Sequence, residues 1–192
     1  MAKLNFKEIA SPALKLFIIC LVSAFLLAGT NHLTSKKIEQ NLSEQETQTR
    51  KVVFSAAAAF GEFGEKEIDG ITVSYCAAFD GAGKKIGYVF TCANKGYGGS
   101  VSVMTGIDID GNVVRSAILS MDDETPGLGQ NASKEEFIGL FTGKTGPFNW
   151  VKSGGTGNDI TGVTSATFTS KAVIKCVNDS IKAFNILTGG EA

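Results

Sequence analysis

One apolar stretch near the N-terminus constrains the architecture of this 192-residue chain more than any other feature. Residues 13–33, ALKLFIICLVSAFLLAGTNHL, are apolar except for Lys15 and a polar end at Thr30, Asn31 and His32. As a helix these residues would extend about 31 Å, which matches a hydrocarbon core of about 30 Å. The stretch therefore predicts a transmembrane helix.

A cleaved signal peptide is the competing interpretation, because SAFLLAG contains small residues that could form a cleavage site. The apolar region of a signal peptide is usually shorter, about 7–15 residues. A charged stretch with helical composition also continues beyond the apolar residues. A retained anchor is therefore the preferred interpretation.

The flanking charges encode the orientation of the span weakly. Lys3, Lys7 and Lys15 precede or enter it, and Lys36 and Lys37 follow it closely. The positive-inside rule favours a cytoplasmic N-terminus at residues 1–12. The expected localisation is the cell (cytoplasmic) membrane, with a single pass and an extracytoplasmic C-terminal domain.

The composition excludes some partners. The formal net charge is -1, without the basic excess that nucleic-acid binding requires. The chain has 23 glycines and three prolines, which suggests tight turns or close approach of the backbone to a ligand. Four cysteines without a CxxC pair, and a single histidine, give little support for a zinc or iron–sulfur site, so no metal ligand is predicted.

The cysteines are expected to be packed or free thiols. Cys76 and Cys92 fall on successive predicted strands joined by a turn near Ala82. A regular hairpin places Cys76 opposite about Tyr88, so Cys92 lies out of register, beyond the Cα separation of about 7 Å that a disulfide tolerates. A bulge in either strand would change this register.

The rest of the chain predicts an α+β fold, an antiparallel sheet packed with helices. Residues 34–60 lack Gly and Pro and favour a helical stalk, so the extracytoplasmic domain is assigned to residues 61–192. Strand-forming residues concentrate in runs joined by short Gly-containing turns, which predicts an antiparallel meander: 71–79, 85–93, 100–109 and 112–120. Ser133 and Glu136 have the spacing of a capping box for a short helix.

The C-terminal helix is predicted from an apolar stripe at spacings of three and four, Val173, Val177, Ile181 and Phe184. It is expected to begin near Ser165 or Ala166 and to end at Gly189-Gly190.

The stretch TSATFTSKAV, residues 164–173, places many hydroxyls at the start of that helix. Thr164 or Ser165 is a candidate N-cap, Thr167 lies in the first turn, and Thr169 and Ser170 add donors. A helix N-terminus has unpaired N–H groups and a partial positive charge, which suits a phosphate. The local pattern does not distinguish a bound phosphate from a well-capped helix.

Two glycine-rich segments have similarly open interpretations. ETPGLG, residues 124–129, is either a type II turn with Pro126 and Gly127 at its centre, or a loop that lies against a planar ligand with Leu128 packing on it. KGYGGSVSVMTGIDIDG, residues 95–111, is either an irregular strand end or a close backbone approach to a ligand. It does not match a dinucleotide fingerprint.

The order of these segments resembles a known family. A single N-terminal span, then GYGGSVSVMTGIDIDGNV, ETPGLG and TSATFTSKAV, is similar over nearly the whole chain to RnfG, the FMN-binding subunit of the Rnf complex, an ion-translocating ferredoxin:NAD oxidoreductase. A more distant similarity is to NqrC, a subunit of the sodium-translocating NADH:quinone oxidoreductase. NqrC usually has a larger extracytoplasmic domain, so the length favours the Rnf family.

The resemblance implies a covalent flavin. The family motif Asp-x-x-(Ser/Thr)-Gly-Ala-Thr carries FMN as a phosphoester on its last threonine, and it aligns with Thr164, Ser165, Ala166 and Thr167. Ser165 replaces Gly, and Thr161 occupies the Asp position. A shifted alignment starting at Asp159 would place FMN on Thr164. Thr167 is preferred because SKAVIKCVND then follows at the family's distance.

The resemblance also implies which residues surround the flavin and what the protein does. Thr169 and the glycine-rich loop are expected to line the flavin: Glu124, Thr125, Gly127, Leu128 and Gly129. The chain would relay electrons between partner subunits, with no catalytic residue and no turnover alone. Expected partners are other Rnf subunits, the lipid bilayer, and a flavin transferase that uses FAD and a divalent metal.

Two alternatives to the Rnf interpretation stay open at this point. One is the quinone-reductase subunit NqrC, which would also carry FMN. The other is a non-redox, membrane-anchored binding domain in which residues 164–170 only cap a helix.

Overall fold

A computed structural model describes residues 6–189, with the backbone alone for residues 6–9, 11, 36 and 39. The chain forms two compact units, residues 1–44 and 45–192. Residues 1–5 of the predicted cytoplasmic segment, including Lys3, and Gly190 of the predicted helix end lie outside the described residues.

The first unit is helical throughout its described part. Helix α1 spans Phe6–Val53, and its last residues belong to the second unit. Within it, Pro12–Ser35 is long and apolar enough to cross a membrane. The predicted span at residues 13–33 falls inside this segment.

The predicted stalk helix at residues 34–60 ends early. Helix α1 stops at Val53, and strand β1 covers Ala59–Ile68, so the prediction of helix is wrong for residues 54–60 and missed a strand. Pairing overrides the helical propensity of the alanines here, because the Ala58 N–H donates to the Phe79 carbonyl at 2.8 Å. Val53 and Phe54 are also buried, which fixes the end of the helix against the sheet.

The second unit is built on a five-stranded antiparallel meander. Its strands are β1 (Ala59–Ile68), β2 (Ile71–Phe79), β3 (Lys85–Lys95), β4 (Ser100–Asp108) and β5 (Val113–Ser120), in the order β1-β2-β3-β4-β5. The four strands predicted from sequence are confirmed, as is the α+β class. Each neighbouring pair is sequential in the chain, because the turns between them are too short for a crossover.

Helices cover both faces of the sheet. Helix α3 (Thr167–Thr188) packs on one face, where it buries a core that includes Phe90, Val103 and Val177. The end of α1 packs on the other, where Val53 and Phe54 join Cys76, Val89 and Met104. Its approach requires glycine in β3, since a Cβ at Gly87 would overlap the Ile107 carbonyl and lie 2.8 Å from the Phe54 ring.

Helix α3 follows the predicted stripe. Val173, Val177, Ile181 and Phe184 are all buried, and the helix ends at Gly189 in the left-handed conformation, with φ of 77°. The Gly189 part of the predicted C-cap is therefore confirmed.

Short elements connect β5 to α3. They are two 3₁₀ turns (Gly129–Ser133 and Gly139–Phe141), helix α2 (Glu135–Ile138), and the parallel pair β6 (Asn149–Val151) and β7 (Asp159–Thr161). The predicted capping box of α2 is wrong. Lys134 occupies the N-cap without a side-chain bond, because the Ser133 hydroxyl instead donates to the Gln130 carbonyl at 2.8 Å.

All four cysteines are free thiols, as expected. Cys76 pairs with Val89, one residue from the predicted Tyr88, because the β2–β3 ladder is irregular at Ala78–Phe79. Burial raises the pKa of the Cys76 thiol.

A buried polar cluster between β3 and α3 was not visible in the sequence. The Asn94 amide donates to Cys92 Sγ at 3.4 Å, Cys176 Sγ at 3.3 Å and Asp179 Oδ2 at 3.2 Å, and Lys175 donates to the same carboxylate at 2.7 Å. The hydrogen bond between the two thiols raises the pKa of Cys92 and lowers that of Cys176. The cluster fastens the middle of α3 to the sheet.

Candidate functional site

A cavity of about 520 Å³ lies where three segments of the second unit meet. This volume is within the range of about 300–1,000 Å³ that is usual for small-molecule sites. The segments are the loop after β3, the 124–129 loop and the start of α3. Its lining comprises Tyr97, Glu124, Thr125, Leu128, Gly129, Ser165, Ala166, Thr167, Phe168 and Thr169.

The start of α3 has no side-chain cap. Ala166 is the N-cap residue, so the expectation that Thr164 or Ser165 caps the helix is wrong. The first intrahelical bond runs from the Ser170 N–H to the Ala166 carbonyl at 2.9 Å. The N–H groups of residues 167–169 are therefore left for another acceptor. Together with the helix dipole they form a site suited to an anion.

The turn before the helix is held by a hydroxyl inside it. Ser170 Oγ accepts from the Val163 N–H at 2.9 Å and donates to the Ala166 carbonyl at 2.8 Å. The Ser170 hydroxyl is thus used in the turn, whereas the sequence suggested that it would solvate a phosphate. Ser165 adopts φ of 60°, in the left-handed region that favours glycine. This geometry gives a physical reason for Gly at that position of the resembling motif.

The two candidate threonines occupy different places. Thr167 is exposed at the first residue of α3 and lines the cavity with the 124–129 loop. Thr164 is also exposed, but it lines a neighbouring cavity with Asn131 and Lys134. Thr167 is therefore the candidate that shares a cavity with the predicted glycine-rich loop.

The 124–129 loop forms the turn that its sequence predicts. The Leu128 N–H donates to the Thr125 carbonyl at 3.1 Å, and Gly127 has φ of 77°, as a type II turn requires at its third residue. The turn places Leu128, 43% exposed, at the mouth of the cavity. Gly127 itself does not contribute to the lining.

Glu124, a predicted site residue, makes hydrogen bonds to two other segments that the sequence did not predict. Its side chain is buried, and its carboxylate accepts the Tyr97 N–H at 2.7 Å, the Gly98 N–H at 3.2 Å and the Thr169 hydroxyl at 2.7 Å. Sequence reasoning placed both Glu124 and Thr169 at the site but did not connect them. Residues 27 and 45 positions apart in the chain leave no local signal of such contacts.

Two exposed aromatic rings that the sequence analysis did not assign to the site border the same cavity. Tyr97 is 75% and Phe168 65% exposed, and their ring centroids are 6.2 Å apart. With Leu128 they form an apolar mouth next to the uncapped N-terminus of α3. A ligand with a phosphate at one end and a planar aromatic ring at the other fits both features.

Comparisons with known proteins agree with this description. Residues 96–182 match the family described as the FMN-binding domain, and residues 1–53 match the RnfG N-terminal region. The fold and the site thus define a protein with an FMN-binding domain. The cavity and all the predicted site residues lie inside the first match.

The relatives identify the family more closely. The G subunit of the proton-translocating ferredoxin:NAD⁺ oxidoreductase complex of Clostridium ljungdahlii is 34% identical, and the alignment covers 92% of this chain and 91% of that protein. The corresponding protein of the Na⁺-translocating complex of Acetobacterium woodii is 34% identical over 97% and 96%. The chain therefore belongs to the RnfG family, as its resemblance implied.

Solved structures show the same fold at lower identity. The C subunit of the Na⁺-translocating NADH-quinone reductase of Parabacteroides distasonis aligns with a TM-score of 0.56 at 20% identity, covering 80% of this chain and 96% of that chain. NqrC of Shewanella oneidensis gives 0.54 at 20%, covering 72% and 74%. This likeness concerns the fold.

Proposed function

We propose that this protein is a membrane-anchored flavoprotein that relays electrons within an ion-translocating ferredoxin:NAD oxidoreductase complex, with FMN joined to Thr167 by a phosphoester. The observation that carries the proposal is the uncapped N-terminus of α3, where Thr167 is the first residue and borders the cavity. An ordinary helix start would use one of its several hydroxyls as a cap.

The start of α3 supplies what a phosphate needs. The N–H groups of residues 167–169 would donate to its oxygens, and the positive end of the dipole would offset its charge. Ser165, where the family motif has Gly, adopts the left-handed conformation that glycine favours, with φ of 60°. These features favour Thr167 over Thr164 as the attachment residue.

The mouth of the cavity suits the ring of the flavin. Tyr97, Leu128 and Phe168 offer apolar surface, and the buried Glu124 carboxylate is already engaged by three donors. FMN supplies the electron-carrying chemistry when bound, and the protein orients it. Apart from Glu124, the described lining has no carboxylate, histidine, lysine or arginine, and the Tyr97 phenol is its only other titratable side chain, which suits an electron carrier that does not turn over alone.

Attachment of the flavin requires another enzyme. The Thr167 hydroxyl lies at an exposed helix start, and the carboxylate of its cavity, that of Glu124, already accepts three hydrogen bonds. Because an unassisted hydroxyl is a poor nucleophile, we propose maturation by a flavin transferase.

The N-terminal segment would place the domain at the membrane. We propose residues 13–33 as a retained span, with residues 1–12 in the cytoplasm and residues 61–192 outside. The length and composition of Pro12–Ser35 support the span, and the lysines before it support the orientation. The other subunits of the complex are then the electron donors and acceptors.

Intact mass tests the proposal. The full-length protein, expressed with a flavin transferase, should gain the mass of one FMN less one water and fluoresce in a denaturing gel. Thr167→Ala should abolish the label, and Thr164→Ala should retain it. A colourless band of unmodified mass would refute the covalent flavin and favour the non-redox binding domain. Loss of the label in Thr164→Ala but not in Thr167→Ala would place the attachment on Thr164.

A further inference from the structure

One buried carboxylate links the three segments that surround the cavity. Glu124 is 2% exposed; its Oε1 accepts the N–H groups of Tyr97 and Gly98, and its Oε2 accepts the Thr169 hydroxyl. Hydrogen bonds to an ionised carboxylate are about twice as strong as neutral ones. The carboxylate therefore holds the loop after β3 with one oxygen and the first turn of α3 with the other.

The glycines around the cavity make room for this carboxylate. A Cβ at Gly96 would overlap Glu124 Oε1, and a Cβ at Gly129 would overlap Glu124 Oε2 and lie 3.0 Å from Thr169 Oγ1. Neither glycine has a positive φ, so conformational freedom does not explain them. Two glycine-rich segments that could each have approached a ligand instead enclose the same side chain.

The anchored groups carry the aromatic rings of the cavity mouth. The Tyr97 N–H is bonded to Oε1, and Phe168 precedes the Thr169 whose hydroxyl is bonded to Oε2. The two exposed rings are neighbours, with centroids 6.2 Å apart. Their relative position therefore depends on a link that passes through Glu124.

We propose that Glu124 is a positioning residue that latches the 96–99 loop to the first turn of α3 and so sets the place of the Tyr97 ring. The latch itself is independent of the flavin. The identity of the group that Tyr97 faces rests on the proposed function, and the two parts therefore need separate measurements.

Hydrogen exchange of the full-length, flavin-free protein tests the latch. Replacing Glu124 by Ala removes the acceptor of the Tyr97 and Gly98 amides, which should exchange about tenfold faster or more, as loss of a charged hydrogen bond implies. Glu124→Gln keeps an acceptor and the shape but removes the charge, so its two amides should exchange more slowly than those of Glu124→Ala. Unchanged protection of the β4 amides would show that each variant is folded. If the Tyr97 and Gly98 amides of a folded Glu124→Ala variant exchange at the wild-type rate, the latch is refuted.

Flavin fluorescence of the loaded, full-length protein tests the placement of Tyr97. A tyrosine ring in contact with a flavin quenches its emission by electron transfer, so Tyr97→Phe should raise the fluorescence yield. Thr169→Val cuts the link to the helix while keeping the side-chain shape, and it should raise the yield as well. Thr169→Ser keeps the hydroxyl and should match the wild type.

The outcomes separate the two proposals. If Tyr97→Phe raises the yield but Thr169→Val does not, the latch does not position the ring, whether or not Glu124→Ala folds. An unchanged yield in Tyr97→Phe would refute the contact of Tyr97 with the flavin. If the wild type carries no flavin, the proposed function fails, and the exchange experiment alone decides the latch.

Discussion

Replacing Ser165 by Gly should stabilise the protein. Ser165 has φ of 60°, and its hydroxyl makes no hydrogen bond within the described residues, so the substitution removes strain without removing a contact. Removing the strain of a left-handed non-glycine residue adds about 1–2 kcal/mol to the free energy of unfolding. Glycine also makes the unfolded chain more flexible, which subtracts about 0.4–1 kcal/mol. The net gain in unfolding free energy is then about 0.5–1 kcal/mol.

Thermal unfolding of the full-length protein measures this gain. For a domain of this size, about 1 kcal/mol corresponds to about 2–4 °C, so Tm should rise by about 1–4 °C. The single tryptophan, Trp150, provides a fluorescence signal. Thr164→Gly is the matched control, because Thr164 lacks a positive φ and its substitution should lower stability by about 0.4–1 kcal/mol. A decrease in Tm for Ser165→Gly equal to that of the control would refute the strain.

Three further predictions follow from other parts of the fold. Gly87→Ala should lower the free energy of unfolding by about 1–3 kcal/mol in chemical denaturation, because its Cβ has no room, whereas Gly81→Ala meets open space and should show no such loss. Cys76 should resist iodoacetamide at pH 8 until denaturant is added, since burial raises its pKa; mass-detected labelling of the native protein at this residue would contradict that. The hydrogen bond from Lys182 lowers the pKa of Asp69, so this pair contributes stability above the unfolded pKa of about 3.9 that is lost as pH falls through the folded value. The stability difference between wild type and Asp69→Asn should therefore shrink on acidification, and a constant difference from pH 7 to pH 2 would exclude the linkage.

Local patterns predicted most of the elements. The stripe from Val173 to Phe184 and the four strand runs were correct because each pattern records which face of one element is apolar. The Pro126-Gly127 turn and the Gly189 cap were correct because they depend on the φ preferences of single residues. Strand β1 was missed because its sequence, AFGEFGEKEI, contains two glycines and no regular alternation of apolar and polar residues, and its pairing with β2 makes it a strand.

Sequence patterns alone were enough for the class of fold, the apolar span and, through the family motifs, two of the three segments that line the cavity. They left open whether the hydroxyls at residues 164–170 cap a helix or serve an anion, since both use the same N–H groups. Only the folded chain shows that no side chain caps α3 and that Thr169 and Glu124 are joined across 45 residues. Such contacts depend on the path of the whole chain, so no local pattern encodes them.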